Sequence, residues 1–201
     1  MRGHEYVRDA LCNYLAGAVP LLLAAHLADI GQTDPDPSEV RFVLADSLQD
    51  VVETESEGPY PVVAVRSSDA EDSQNLGGGL WAFTYDLEVM VACDHRVYGP
   101  QGYRRATRAR DRLLLAVRES LLTVRGMSSA DPDGDISFLP GKRREQTGRG
   151  NQQTLSGVAL AVGTVDLRAR VTESLAPVAA EQIEAIDLTV SGLDAAETLP
   201  A

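Results

Sequence analysis

Between Leu80 and Arg125 the chain changes its apolar period once, and that change limits the folds open to it. Up to Cys93 the residues alternate strictly, with Trp81, Phe83, Tyr85, Leu87, Val89, Val91 and Cys93 on one side and Ala82, Thr84, Asp86, Glu88, Met90 and Ala92 on the other. A period of two is a β-strand, here a long one with one apolar face. After the turn residues Gly99, Pro100 and Gly102 the spacing becomes helical. At about 100° per residue, Ala106, Ala109, Leu113, Ala116, Val117, Leu121 and Val124 gather on one side of a helix from Tyr103 to Arg125. Arg104, Arg105, Arg108, Arg112, Arg118 and Arg125 gather on the other, with Asp111 and Glu119 among them as local ion-pair partners. An apolar strand face followed by an apolar helix face closes into a two-layer unit, which leaves the arginines outward.

Upstream, the uncharged run Ala10–Leu27 approaches the length of a membrane span, but Asn13, Gly17, Pro20 and His26 interrupt it. Its apolar residues fall on one side at Val7, Leu11, Tyr14, Ala18, Leu21, Leu22 and Ala25, so a buried helix is expected rather than a span. Glu5 and Asp9 dilute the basic leader that a signal peptide would need, and no cleavage site follows. The helix should run from near Glu5 to Gly31 and be kinked or split at Pro20. After the connector Thr33–Ser38, residues 39–53 suit either a helix, capped by Asp36-Pro37-Ser38-Glu39, or a strand, since Val40, Phe42 and Leu44 alternate. The strand is preferred. Pro61–Ser67 is a short strand by its β-branched content, and the Asp-, Ser- and Gly-rich Ser68–Gly79 is a hairpin loop.

Downstream, Gly126–Gln153 is polar apart from Ile136–Leu139, and is long for a structureless connection, so it is expected to be disordered or ordered by a partner. Leu155–Thr172 returns to strand, with Gly157 and Gly163 marking a bend or bulge. Antiparallel pairing with the Leu80 strand would set Arg168 and Arg170 against Asp86 and Glu88. A further strand around Ile186, Leu188 and Val190 is possible within an acidic, Ala-rich tail. The expected fold is α+β: a mainly antiparallel sheet packed against an N-terminal helix and a central amphipathic helix. Residues 1–175 would form one domain and 176–201 an extension or arm.

The formal charge of -12 is unevenly spread. Residues 1–95 hold four basic and seventeen acidic groups, 96–149 hold twelve and six, and 150–201 hold two and seven. An acidic body with a basic centre argues against general nucleic-acid affinity and suits docking onto protein, copies of itself included. Cys12 and Cys93, both in apolar settings, are expected to be buried thiols. The glycines Gly77–Gly79 precede a strand, not a helix, and lack the lysine of a phosphate loop. Asp131, Asp133 and Asp135 have Lys142 where a calcium loop needs its bidentate Glu. His4, His26 and His95 have no ligand-spaced companions, and no nucleophile stands with a base. No catalytic residue, metal site or cofactor site is therefore assigned, and no enzyme is expected. What remains are the basic residues Arg104, Arg105, Arg108 and Arg112 on the helix and Lys142, Arg143, Arg144 and Arg149 in the loop. They suit a solvated face, a protein interface or, third, a nucleic-acid contact.

With Tyr60-Pro61-Val62-Val63-Ala64-Val65 leading to Trp81–Val89, then the Arg-rich helix and Gly157-Val158-Ala159-Leu160 through Arg170, the element order resembles that of the tail terminator proteins of long-tailed bacteriophages. The likeness spans Glu5 to Thr172 and rests on layout, not on a diagnostic motif. It implies a virion protein, assembled in the host cytoplasm, that forms a hexameric ring on the head-proximal end of the tail tube and halts tube growth. Its implied partners are itself, the tail tube protein and a head–tail connector or neck protein, with genome DNA passing through the lumen unbound and no membrane. A neck or head-completion adaptor would give similar texture, and a nucleic-acid-binding protein using the Arg-rich helix is the alternative of another class. The charge blocks lead to the expectation of an acidic lumen, with the arginines meeting protein.

Overall fold

Strand alternation and helical spacing both take shape in a computed structural model that describes residues 3–45, 61–94, 102–124, 126–128, 135–139, 144–147, 152–153 and 159–174. In chain order these are helix α1 (Gly3–Asp29), a 3-10 turn (Pro37–Glu39), β1 (Arg41–Leu44), β2 (Val62–Gly77), β3 (Leu80–Asp94), helix α2 (Gly102–Thr123), β4 (Gly126–Ser128), β5 (Asp135–Phe138), β6 (Arg144–Thr147), β7 (Gln152–Gln153) and β8 (Ala159–Ser174). The strands form one sheet in the order β1-β2-β3-β8-β5-β4, with β6 and β7 also on β8. β1 runs parallel to β2 and every other pair is antiparallel. The fold is α+β, as the periodicities imply.

The β3–β8 ladder is the frame. It runs without a register shift from Leu80 opposite Ser174 to Asp94 opposite Leu160. One face of the pair, carrying Phe83, Tyr85, Leu87, Val89 and Val91 with Val165, Leu167, Ala169 and Val171, is buried under the two helices. From α2 come Leu113, Ala116, Val117 and Leu121 of the predicted apolar side, together with Leu114, while the predicted Ala106 and Ala109 pack with Cys93 and Ala161 and Val124 is partly buried. Each such side chain contributes about 1.5–3 kcal/mol by leaving water. The opposite face divides by chemistry. Thr84, Asp86 and Glu88 are half-buried at one end, whereas Met90 and Ala92 join Ala45, Val62, Ala64, Leu160 and Val162 in a second apolar cluster at the other.

Gly163 does not mark a bulge. It lies opposite Val91 in the unbroken ladder, and a Cβ there would stand 3.1 Å from Leu114 Cδ2. The missing side chain lets α2 approach the sheet. Gly157 lies outside the described residues.

Helix α1 runs unbroken through Pro20, so the expected split does not occur. The donor that proline lacks would serve the carbonyl of Ala16, an exposed residue where water can take its place. The buried row is Val7, Leu11, Leu15, Val19, Leu23 and Leu27, with Cys12 beside it, whereas Leu21 is 74% exposed and Ala25 is exposed. The predicted stripe was thus right at its start and rotated away from the true one beyond Leu11. Residues four apart advance about 40° around the axis per step, so the buried line winds. Early in the helix the His4 carbonyl accepts from Ser67 Oγ of β2, and later Tyr14 and His26 reach α2. The C-terminus closes at Gly31 (φ 61), with Gly31 N–H on Ala28 O and Gln32 N–H on Leu27 O, a Schellman cap.

Both expectations for residues 39–53 hold in part. Asp36 caps a single 3-10 turn by accepting from Ser38 N–H at 2.8 Å, and a four-residue strand follows. Residues 46–53 lie outside the described residues. The parallel pairing of β1 with β2 has no counterpart in the expected antiparallel order.

The loop expected over Ser68–Gly79 is instead strand almost to its end. β2 continues to Gly77 and returns through Gly78 and Gly79, whose φ of 62 and 82 are the positive values a two-residue hairpin turn requires. Three register shifts, after Ser67, Ala70 and Asn75, take up the extra residues of β2. Loop-like composition here reflects an exposed strand: Asp72 to Gly78 all face solvent. Within Gly126–Gln153, expected to be disordered or ordered by a partner, the described residues form four short strands, β4 to β7. Of these β5, β6 and β7 pair with the edge of β8 that β3 leaves open. Ile136 and Phe138 of β5 enter the core. The tail from Leu175, with its possible strand near Ile186, lies outside the described residues.

Candidate protein interface

The outer side of α2 carries Arg104, Arg105, Arg108 and Arg118, all exposed. Tyr103 stands beside them at 51% exposure. Not every predicted arginine is free of its own chain. Arg105 forms an ion pair with the Asp34 carboxylate, and Arg112, half-buried, donates to the Asp34 carbonyl. These two therefore fasten the connector after α1 to α2, a structural role beside the interface role expected of them. Arg104 and Arg108, one turn apart on the same side, have no such bond among the described residues.

Arg110 was missed. It is 8% exposed, donates to Asp111 Oδ1 at 2.9 and 2.6 Å, and reaches the Val162 carbonyl at 3.3 Å. The helical phase contained the signal, since residue 110 lies four after Ala106 and three before Leu113 on the buried side. Asp111 thus serves a buried arginine, not the outer row. Glu119 meets His26 Nε2 of α1 at 2.8 Å, next to the bond from Tyr14 Oη to the Ser120 carbonyl at 3.0 Å. The carboxylates expected to neutralise the outer arginines are spent elsewhere.

Of the predicted loop cations only Arg144 falls within the described residues. Arg144 opens β6 opposite Asp166 of β8, while Lys142, Arg143, Arg149 and Arg125 lie outside the described residues.

On the sheet face away from the helices, Arg168 Nε meets Asp86 Oδ1 at 2.6 Å, as the antiparallel register implies. Arg170 does not pair with Glu88: it donates to Gln74 Oε1 at 2.9 Å, and Glu88 is held by Arg66 of β2. Asp166 stands directly opposite Glu88. The charges on this face are interleaved and mostly matched.

Chemistry is sparse. Among the described residues no three of His, Cys, Asp and Glu lie together as a metal would need. Burial pushes the Cys93 thiol up to about 12, with nearby Arg110 opposing, and burial together with Asp9 raises Cys12. Both are free thiols, buried and protonated at neutral pH, which removes them as nucleophiles. Among the described residues one helix, α1, is long and apolar enough to cross a membrane, and its buried row packs in the core. A search of protein-family models and of curated proteins finds no match to this chain.

Proposed function

We propose that this chain is a structural assembly protein, a subunit of a hexameric ring at the head-proximal end of a phage tail tube that ends tube growth and joins the tail to the head connector. The observation that carries the assembly role is α2: one side is sealed into the core, while the other presents Arg104 and Arg108 with no acidic partner among the described residues. Exposed arginine beside an exposed tyrosine is the composition of a protein contact. The position in the tail comes from the resemblance in element order. Terminator function needs no reaction, only a stiff frame and charged surfaces, and the unshifted β3–β8 ladder supplies such a frame.

Purified protein mixed with isolated tail tubes and imaged in negative stain tests this directly. Rings seated on one end of each tube, with tube length no longer growing, are expected. Binding to filled heads in place of tubes would identify a neck adaptor. Salt-resistant absence of any ring or tube contact, with tight duplex DNA binding lost in Arg104→Glu/Arg108→Glu, would replace both with a nucleic-acid-binding role.

A further inference from the structure

Arg104 and Arg108 are exposed with no acidic partner among the described residues, and the chain carries acidic residues beyond its last described strand. After β8 the sequence holds Glu181, Glu184, Asp187, Asp194 and Glu197 with no lysine or arginine. Ile183, Ile186 and Leu188 are interspersed among these acids, so the segment offers apolar contact as well as charge. The exposed Tyr103 ring beside the arginines is a surface suited to such a mixture.

The sheet fixes where this segment begins. Ser174 lies opposite Leu80, at the end where β2 turns into β3. The first turns of α2 lie at the other end, where Ala106 and Ala109 pack with Cys93 and Ala161. The strand from Ala161 to Ser174 is about 43 Å long at about 3.3 Å per residue. The chain therefore leaves its own sheet at the end far from the first turns of its own α2.

We infer that the acidic segment 175–201 docks on the Arg104–Arg108 face of a neighbouring copy. This rests on the assembly role proposed above and names the contact that links one subunit to the next. Each copy then presents a basic face at one end and an acidic arm at the other, a head-to-tail arrangement that closes into a ring. Because the contact is between exposed charges, it should weaken as salt rises.

Charge exchange between full-length chains tests it. Arg104→Glu/Arg108→Glu sets an acidic arm against an acidic face, and Glu181→Lys/Glu184→Lys/Asp187→Lys sets a basic arm against a basic face. Each variant alone should self-associate at least tenfold more weakly than the parent by sedimentation velocity, with unchanged circular dichroism. An equimolar mixture of the two should assemble, because every arm then meets a face of opposite sign on the other chain. If mixing fails while one chain carrying both sets of changes behaves as the parent, the arm lies on its own α2 and the inference is overturned. Parent-like association of both variants overturns it as well. Tube capping separates this from the function: capping that ignores all these charges sinks the inference and leaves the terminator role standing. Charge-dependent assembly that never seats on a tube does the reverse.

Discussion

Replacing Gly163 with valine probes how closely α2 lies on the sheet. The position is buried, and a Cβ built on it stands 3.1 Å from Leu114 Cδ2 and 3.5 Å from Arg110 Cδ. Alanine would need Leu114 to yield a few tenths of an ångström, while gaining about 0.4–1 kcal/mol from a less flexible unfolded chain, so its two effects nearly offset. Valine adds two methyl groups toward Leu114, which is 1% exposed and hemmed in by the core. Overpacking of this kind costs about 1–3 kcal/mol. Leu114→Ala alone costs about 2–5 kcal/mol through lost burial and a cavity. In the double variant the valine fills part of that cavity, so its destabilisation should fall short of the sum by at least about 1 kcal/mol. Urea unfolding of the four proteins at one fixed concentration, with a common m-value, gives the coupling. Additivity within about 0.5 kcal/mol would mean that the two positions do not meet, and would refute the close-approach role of Gly163.

Leu23→Ala should cost about 2–5 kcal/mol and Leu21→Ala less than about 0.5 kcal/mol in the same unfolding assay, since Leu23 is 0% and Leu21 74% exposed. Equal costs would return the buried row of α1 to the predicted stripe. Thiol labelling at pH 8 should modify neither Cys12 nor Cys93 until denaturant is added, because both are buried and protonated. The raised Cys93 value also sets the direction of an alkaline effect. The unfolded thiol loses its proton near 9 and the folded one only near 12, so the stability held below pH 9 drains across that window, and Cys93→Ala should flatten the decline in alkaline urea titrations. Asp86→Ala and Arg168→Ala should couple by less than about 1 kcal/mol in a double-mutant cycle, because both side chains are partly exposed. A coupling well above that would mean that something covers this face in solution.

The central strand and helix were legible because each keeps one period over many residues: burial alternates as predicted from Phe83 to Val89, and the predicted helix positions from Ala106 to Leu121 are all buried. The antiparallel pairing of the central strand with β8 was legible for the same reason, but its register was not: Arg168 meets Asp86 while Arg170 lies opposite Thr84 and Glu88 opposite Asp166. Helix α1 misled because it is apolar nearly all round: when alanine and leucine occupy every side, periodicity loses the phase, and only the packing of α2 and β2 restores it. The β2 extension was hidden by exposure, since a strand that faces water on both sides is built of loop residues. Gly163 carried a true signal with two physical causes, a bulge or a close approach, and only the neighbour across the layer distinguishes them. The arginine face was visible as a stripe. What the stripe could not reveal was Asp34, which lies far back in the sequence and takes Arg105 and Arg112 for itself, or the inward turn of Arg110.

β8 hydrogen-bonds β3 along its whole described length, so β5, β6 and β7 are short tiles laid against a beam that already stands. Each tile is held by two to four register pairs. Lengthening a connection between tiles adds closure entropy only slowly, about 0.6 kcal/mol per doubling. A reporter peptide grafted between Thr147 and Gln152 should therefore leave the beam untouched, and the tagged protein should unfold in urea at nearly the parent's midpoint.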